Sequence, residues 1–415
     1  MAHVPVLFGH KGEYRREANR FLRERATLTH REDAAFELSL SEAPVGPRPL
    51  TLKKYADGLH NFFNWCNQRG HDWKTINYKT IIDYQKEMES GAWSTQNRPL
   101  SPETANARAD IATEFLAWAA LRSIRRAFHV RTKPRSPSHG ARHPVGRLPR
   151  KTGALEPVRA GRAKTSHTKD LLKNETLPSP LVIRDWLLTV QRKYGYAKYL
   201  ACRFILETGV RSIEAINLVE TKQARQLPSL AEIQDLARKG ARAVQIDLVV
   251  TKGGRPRTID LPLDFALELR QWADTKRPTL RYRARMRTGR APGDAFFLSD
   301  APKFEGTPIS YATLYKVFRK TGPIRKFSPH IGRHIYACFF LLRSLDMEAQ
   351  VRGGNLKSQH PDWIHHRGDW YLKLLQRQLG HLSDETTFTY LRLIKGAIAI
   401  ADVATNWHLN LSEDI

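Results

Sequence analysis

The chain has 415 residues and a formal charge of +27, from 68 Lys and Arg against 41 Asp and Glu. That length exceeds what one core comfortably supports, and the 41% hydrophobic and 26% charged shares are those of a globular chain, so a disordered protein is excluded and two domains with extensions are expected. The basic excess calls for a polyanionic partner, and with no apolar stretch of spanning length DNA or RNA is favoured over a membrane surface.

The opening Met1-Ala2-His3-Val4-Pro5 has no charged region leading into an apolar core, so the protein is expected to stay in the compartment where it is made. Cys66, Cys202 and Cys338 are far apart and lack CxxC spacing, which fits a reducing cytoplasm and gives neither a disulfide framework nor a zinc site. Each lies in an apolar stretch and reads as a small buried hydrophobe.

Residues 1–47 form an N-terminal arm or extension, with a charged helix expected from Glu13 to Arg25 that either docks or forms a mobile arm. The run Ala43-Pro44-Val45-Gly46-Pro47-Arg48-Pro49 ends it. Residues 48–125 read as a helical domain. Leu52, Tyr55, Leu59, Phe62 and Phe63 make one apolar stripe, and Ser101-Pro102-Glu103 supplies N-cap, first-turn proline and first-turn acid for a later helix. Residues 126–170 are a basic linker: from 122 to 169 there are fourteen Lys or Arg and one acid, Glu156, a composition suited to following phosphates.

Residues 171–415 form the larger domain. Helices are expected over Leu181–Tyr194, Tyr199–Glu207 and, after a break at Gly209, Ile213–Leu218. Val244–Val250 and Thr258–Leu261 alternate as two short strands around Thr251-Lys252-Gly253-Gly254. Leu263–Lys276, Tyr311–Lys320, His334–Leu345, Leu372–Gln378, Asp384–Leu391 and Lys395–Trp407 read as helices. The fold class is therefore mainly α with a small antiparallel β-sheet.

Several polar signals punctuate this domain. Arg211 follows a glycine turn at the start of a helix, where a guanidinium and free backbone N–H groups together attract an anion. Glu214, one turn on, is placed to orient it, although the pair taken alone reads as a surface i,i+3 ion pair. His330 and Arg333 stand three apart after Pro329, facing one point if a helix begins there. Leu379-Gly380-His381 is followed by a capped restart at Ser383 and by Tyr390, nine residues past the histidine.

Taken in order, TG-x-R-x-x-E at 208–214, the hairpin Lys252, H-x-x-R at 330–333, LGH at 379–381 and Tyr390 resemble the tyrosine recombinases, the phage-integrase type of site-specific DNA recombinase. The resemblance covers 177–409 by motif and 50–122 only by architecture, as a helical core-binding domain preceding the catalytic one. It implies a C-shaped clamp on double-stranded DNA and a set of catalytic residues: Tyr390, Arg211, Arg333, His330, His381 and Lys252, with Glu214 in support.

By that resemblance Tyr390 attacks the scissile phosphate, forming a 3′-phosphotyrosyl bond and freeing a 5′-hydroxyl. Arg211 and Arg333 hold the non-bridging oxygens, Lys252 protonates the leaving oxygen, His330 accepts a proton or binds phosphate, and His381 donates a hydrogen bond. Neither a metal nor ATP is implied, and no cofactor. Lys252 competes with Arg255 and Arg257 on the same hairpin.

Two stretches depart from the pattern. Arg333 and His381 are 48 residues apart, about twice the expected interval, and 346–370, with His360-Pro361-Asp362-Trp363-Ile364-His365-His366, reads as an inserted loop that touches DNA or a neighbouring subunit; the histidine spacing fits no metal motif. A second insertion spans 222–242. After Tyr390, Leu393, Ala397, Ile398, Ile400, Ala401, Val403, Ala404 and Trp407 give an apolar tail helix. It packs on its own domain or, as the resemblance implies, on the next protomer of a homo-tetramer around two duplexes, with a place for accessory DNA-bending or partner recombinase proteins. The expected function is a site-specific recombinase or integrase of a mobile element, acting through a Holliday junction. The competing readings are a type IB topoisomerase-like relaxing enzyme and a non-catalytic DNA-binding accessory protein.

Overall fold

The computed structural model describes residues 4–27, 47, 49–133, 158–164, 177–220, 226–251, 256–356 and 359–380. The chain divides into two compact units, Met1–Lys169 and Asp170–Ile415. No helix among the described residues is long and apolar enough to cross a membrane.

In the first unit α1 (Arg16–Thr27), α2 (Pro49–Gln68), α3 (Tyr78–Ser90) and α4 (Pro102–Leu121) share one core. The i,i+3/i+4 stripe read on α2 buries Leu52, Leu59, Phe62 and Phe63, and α4 answers with Phe115, Leu116 and Trp118. The segment expected as an arm contributes Phe21 and Leu22 of α1 to the same core, with the Phe21 ring edge-on to Phe115 and Trp118 at 5.6 and 5.4 Å. Ser101 caps α4 as its sequence suggested, its hydroxyl accepting from the Thr104 N–H at 3.3 Å.

Part of the basic linker is anchored to these helices. β1 (Thr132–Lys133) pairs antiparallel with β2 (Val158–Arg159). Arg159 is buried against Asp110 and the Gln85 side-chain carbonyl, Arg162 pairs with Asp110, and Asn106 exchanges two hydrogen bonds with the Ala163 backbone at 2.9 and 3.0 Å. Two of the linker's cations are thus consumed by acceptors on α3 and α4.

The second unit contains α5 (Pro180–Tyr194), α6 (Tyr196–Thr208), α7 (Ser212–Ile216), α8 (Leu230–Arg238), the strands β3 (Ala243–Leu248) and β4 (Arg257–Pro262), then α9 (Leu263–Thr288), α10 (Tyr311–Thr321), α11 (Pro329–Val351) and α12 (Pro361–Leu379). The strands form the expected antiparallel pair, in register from Ala243 opposite Pro262 to Leu248 opposite Arg257. Val244, Ile246 and Leu248 point inward with Ile259 and Leu261, as period-two alternation requires. The main core joins them to Phe204, Phe265, Phe296, Phe297 and Phe318; a second cluster, with Cys338, Leu341, Leu372, Leu375 and Leu379, fastens α12 to α11.

Two stretches differ from expectation. The helix read over Leu263–Lys276 continues as α9 to Thr288 through Pro278. Proline breaks a helix by withdrawing one N–H, but Pro278 is exposed and Arg277 beside it is drawn inward to the carbonyls of Asp294, Ala295 and Phe296. Residues 346–370 are not the expected inserted loop. They lengthen α11 to Val351 and start α12 at Pro361, because Leu345, Leu356 and Ile364 form an apolar cluster and Glu348 forms an ion pair with Arg367 (2.6 Å) and accepts a hydrogen bond from Tyr371 (3.1 Å). The second insertion holds α8, whose Ser229 and Glu232 cap each other's backbone N–H groups.

Candidate nucleic-acid cleavage site

The site begins where α6 stops. Gly209 takes a left-handed conformation (φ +66°) and closes the helix through its N–H to the Ile205 carbonyl at 3.0 Å. A side chain there would strike Tyr336 at 2.4 Å and Leu379 at 2.6 Å, so glycine is required on both counts. Two residues later Arg211, in extended conformation, immediately precedes α7.

Glu214 is the anchor of this corner. Its carboxylate accepts from the Arg211 N–H at 2.7 Å, from Arg211 Nη1 at 3.1 Å, and from Arg257 Nη2 at 2.6 Å. The Glu214 side chain is 0% exposed, which excludes the surface ion pair that the i,i+3 spacing suggests by itself. A buried carboxylate is tolerated because two guanidiniums and a backbone N–H replace its water.

α11 supplies the next pair. Ser328 caps it, accepting from the Ile331 N–H at 3.3 Å, and His330 lies exposed in the first turn. Arg333, one turn on, is buried: Nη1 donates to the Gly209 carbonyl and Nη2 to the Leu379 carbonyl, both at 2.7 Å. His330 Nε2 and the buried His334 Nε2 stand 3.0 Å apart. A bond between two imidazole nitrogens needs one protonated Nε2 and one lone pair, so one proton lies between these two atoms when the bond is made.

The third component is the C-terminal end of α12, where helix geometry leaves carbonyls without intrahelical partners. The Gln378 carbonyl accepts from Arg257 Nη1 at 2.8 Å, Leu379 from Arg333, and Gly380 from Arg211 Nη2 at 3.4 Å. Three consecutive carbonyls therefore meet three guanidiniums drawn from α11, β4 and the turn before α7. The negative end of the helix favours that gathering of cations. The Gln378 side chain docks the same end onto β4 and α6: it accepts from the Asp260 N–H at 2.9 Å and donates to the Asp260 and Thr208 carbonyls at 2.9 and 3.2 Å.

The structure thus brings Arg211, Glu214 and Arg333 to one place and sets His330 in the first turn of the helix that carries Arg333. Lys252, His381 and Tyr390 lie outside the described residues. Arg257, which the sequence offers as a rival to Lys252 near the hairpin tip, instead points into the protein. Burial holds its guanidinium below the usual arginine range, partly offset by Glu214. Its inward direction is legible in retrospect, since Arg257, Ile259 and Leu261 share one face of β4. Gln378 and His334 carry no comparable signal, because their roles depend on partners distant in sequence or on an exposed neighbour.

Chemically, three guanidiniums against one carboxylate leave a surplus of positive charge beside a helix end. Such a place attracts a phosphate, and arginine stays charged while doing so.

No protein-family model matches the chain, and no curated protein matches it. Among solved structures the chain is similar to the XerA recombinase, with 16% identity over 91% of this chain and 92% of that one and a TM-score of 0.31. It is also similar to the XerH site-specific recombinase bound to a palindromic difH substrate in a post-cleavage complex (16% identity, 83% and 76% of the two chains, TM-score 0.45). A lambda integrase (75–356) dimer bound to a COC′ core site matches at 12% identity over 91% and 94%, with a TM-score of 0.44.

Proposed function

We propose that this chain is a tyrosine recombinase: a DNA strand-transferase that cuts and rejoins duplex DNA at specific sites without metal or ATP. The observation that carries the reading is the convergence of Arg211, Arg257 and Arg333 on the carbonyls of 378–380, the residues that lead directly into His381. Arg211 and Arg333, far apart in the sequence, reach neighbouring carbonyls at one cationic corner, which supports a single phosphate site.

In this mechanism the Tyr390 oxygen attacks the scissile phosphorus, the P–O5′ bond breaks, and the 5′-oxygen leaves with a proton from Lys252. A tyrosine hydroxyl has a pKa of about 10, so the attack depends on cations and on a proton acceptor, the role assigned to His330 with His334 behind it. Arg211 and Arg333 balance the charge that grows on the non-bridging oxygens, and His381 adds a hydrogen bond. The energy of the broken diester is kept in the phosphotyrosyl bond, so a free 5′-hydroxyl reverses the step on the same or another strand. Exchange of both strands in turn passes through a Holliday junction. Four copies joined through the tail after Tyr390 would hold the two duplexes, and mobile-element integration or excision is the corresponding biology.

The test is covalent trapping. Duplexes nicked next to successive phosphates, tiled across the DNA that flanks the coding sequence, are incubated with the full chain and resolved under denaturing conditions. A protein–DNA adduct that forms in excess chelator and vanishes in Tyr390→Phe is the expected result. An adduct that persists in Tyr390→Phe, or none with any duplex, overturns the reading.

A further inference from the structure

We propose that Arg257 is a positioning residue of this site: its guanidinium bridges the Glu214 carboxylate and the Gln378 carbonyl, and so fixes Arg211 relative to the segment entering His381. The inference rests on the strand-transfer reading above and deepens it, since none of the motif residues accounts for Arg257.

The geometry is specific to arginine. Nη2 reaches Glu214 at 2.6 Å while Nη1 reaches the Gln378 carbonyl at 2.8 Å, so one rigid plane spans two elements. A lysine, with a single nitrogen on a flexible stem, does not hold both ends at a set separation. The stem is confined as well: a Cβ placed on Gly380 would lie 2.5 Å from Arg257 Cδ and Nε, so the last residue before His381 packs on this side chain with no room to spare.

The apolar packing of β4 gives no reason for an arginine here. Ile259 and Leu261 fill the next two inward positions of β4 with aliphatic side chains, whereas the Arg257 Nε–H is buried without a hydrogen-bond partner among the described residues. Two like charges, Arg257 and Arg211, also share the one Glu214 carboxylate. An aliphatic residue would avoid both penalties but would leave Glu214 held from one side only and the α12 end without this tie.

The consequence for the reaction is directional. Removing the bridge leaves the DNA-contacting surface intact but loosens Arg211 and the α12 end, so the chemical step slows while DNA affinity holds. A misplacement of about 1 Å costs roughly 100-fold in rate. Arg257→Lys and Arg257→Met are therefore expected to lower the single-turnover rate of adduct formation by about 10- to 100-fold at saturating DNA, with Kd within about twofold of the parent. Because Arg257 acts through Glu214, the double variant Arg257→Lys/Glu214→Gln should be scarcely slower than the slower single variant. Amide hydrogen exchange should show faster exchange at the Arg211 N–H, which bonds Glu214, and at the end of α12, with the rest of the chain unchanged.

Circular dichroism establishes that each variant is folded, and if Arg257→Met is not, Arg257→Lys decides. Wild-type rates in folded Arg257→Lys, losses that multiply in the double variant, or a loss explained wholly by weaker DNA binding each overturn the inference. Absence of any Tyr390-dependent adduct in the parent chain instead removes the reaction on which it rests. A parent that forms the adduct beside an unimpaired Arg257→Lys removes the positioning role alone.

Discussion

Arg333 donates to the Leu379 carbonyl at 2.7 Å, so a side chain in the first turns of α11 fixes the last turn of α12 across 46 residues of sequence. The same guanidinium holds the Gly209 carbonyl at the end of α6, and three helix termini are thereby fastened at one point. Arg333→Lys keeps the charge and can serve only one of the two carbonyls well. A buried carbonyl left without its donor costs about 1–3 kcal/mol. The thermal midpoint of the full chain should fall accordingly, further in Arg333→Met than in Arg333→Lys, and both should lose adduct formation. An unchanged midpoint in Arg333→Met would show that these bonds contribute nothing net.

Gly209 sits at the opposite end of that bond. Alanine at φ +66° costs about 1–2 kcal/mol in backbone strain, and contacts of 2.4 and 2.6 Å with Tyr336 and Leu379 add about 1–3 kcal/mol of overpacking. Gly240 has φ +78°, but a methyl added there would meet nothing within 4 Å among the described residues, so Gly240→Ala should carry the backbone cost alone. Parallel denaturation of the two variants separates strain from crowding; equal losses would mean that the α6–α11–α12 junction relaxes freely around the extra methyl.

The sequence makes one half of this site readable and hides the other for a physical reason. Arg211 with Glu214, and His330 with Arg333, are local spacings on helix starts marked by a glycine turn and by Ser328-Pro329, and helix periodicity is enough to place them. The partner that encloses Glu214 comes from β4, 43 residues away, and no local pattern encodes that meeting. Strand parity indicates that Arg257 faces inward but not what it meets there. The 346–370 stretch misleads in the opposite sense: Gly353-Gly354 and His360-Pro361 punctuate it like a loop, yet the breaks only separate two helices that are held together by the cluster of Leu345, Leu356 and Ile364. Expectations that rest on Lys252, His381, Tyr390 and the tail helix fall outside the described residues.

The three cysteines should be chemically silent in the native protein. Burial pushes the Cys66 and Cys338 thiols up to about 12 and raises Cys202 further, and only the thiolate is reactive. A chromogenic disulfide reagent at neutral pH should therefore titrate no thiol in the folded chain and three after unfolding in denaturant. Rapid labelling of the native protein would mean that one of these cores opens on the reagent's timescale.

Acid should weaken the first unit through two tryptophan–glutamate pairs. Burial alone would raise the Glu24 carboxyl, but the Trp118 indole N–H at 2.8 Å together with Arg20 and Arg122 holds it below the usual carboxylate range. Glu87 is lowered in the same way, against burial, by the Trp65 N–H at 3.0 Å and by Arg69. In both cases the unfolded chain binds the proton more readily than the folded one. Their contribution is thus fully present above the unfolded-state pKa and is lost as pH falls through the lower folded value. Denaturation midpoints followed by tryptophan fluorescence should decline as pH drops below the ordinary carboxylate range. Glu24→Gln/Glu87→Gln should start from a lower midpoint at neutral pH and show a shallower decline, because a glutamine has no proton to gain. A double variant as acid-sensitive as the parent would assign the decline to other carboxylates.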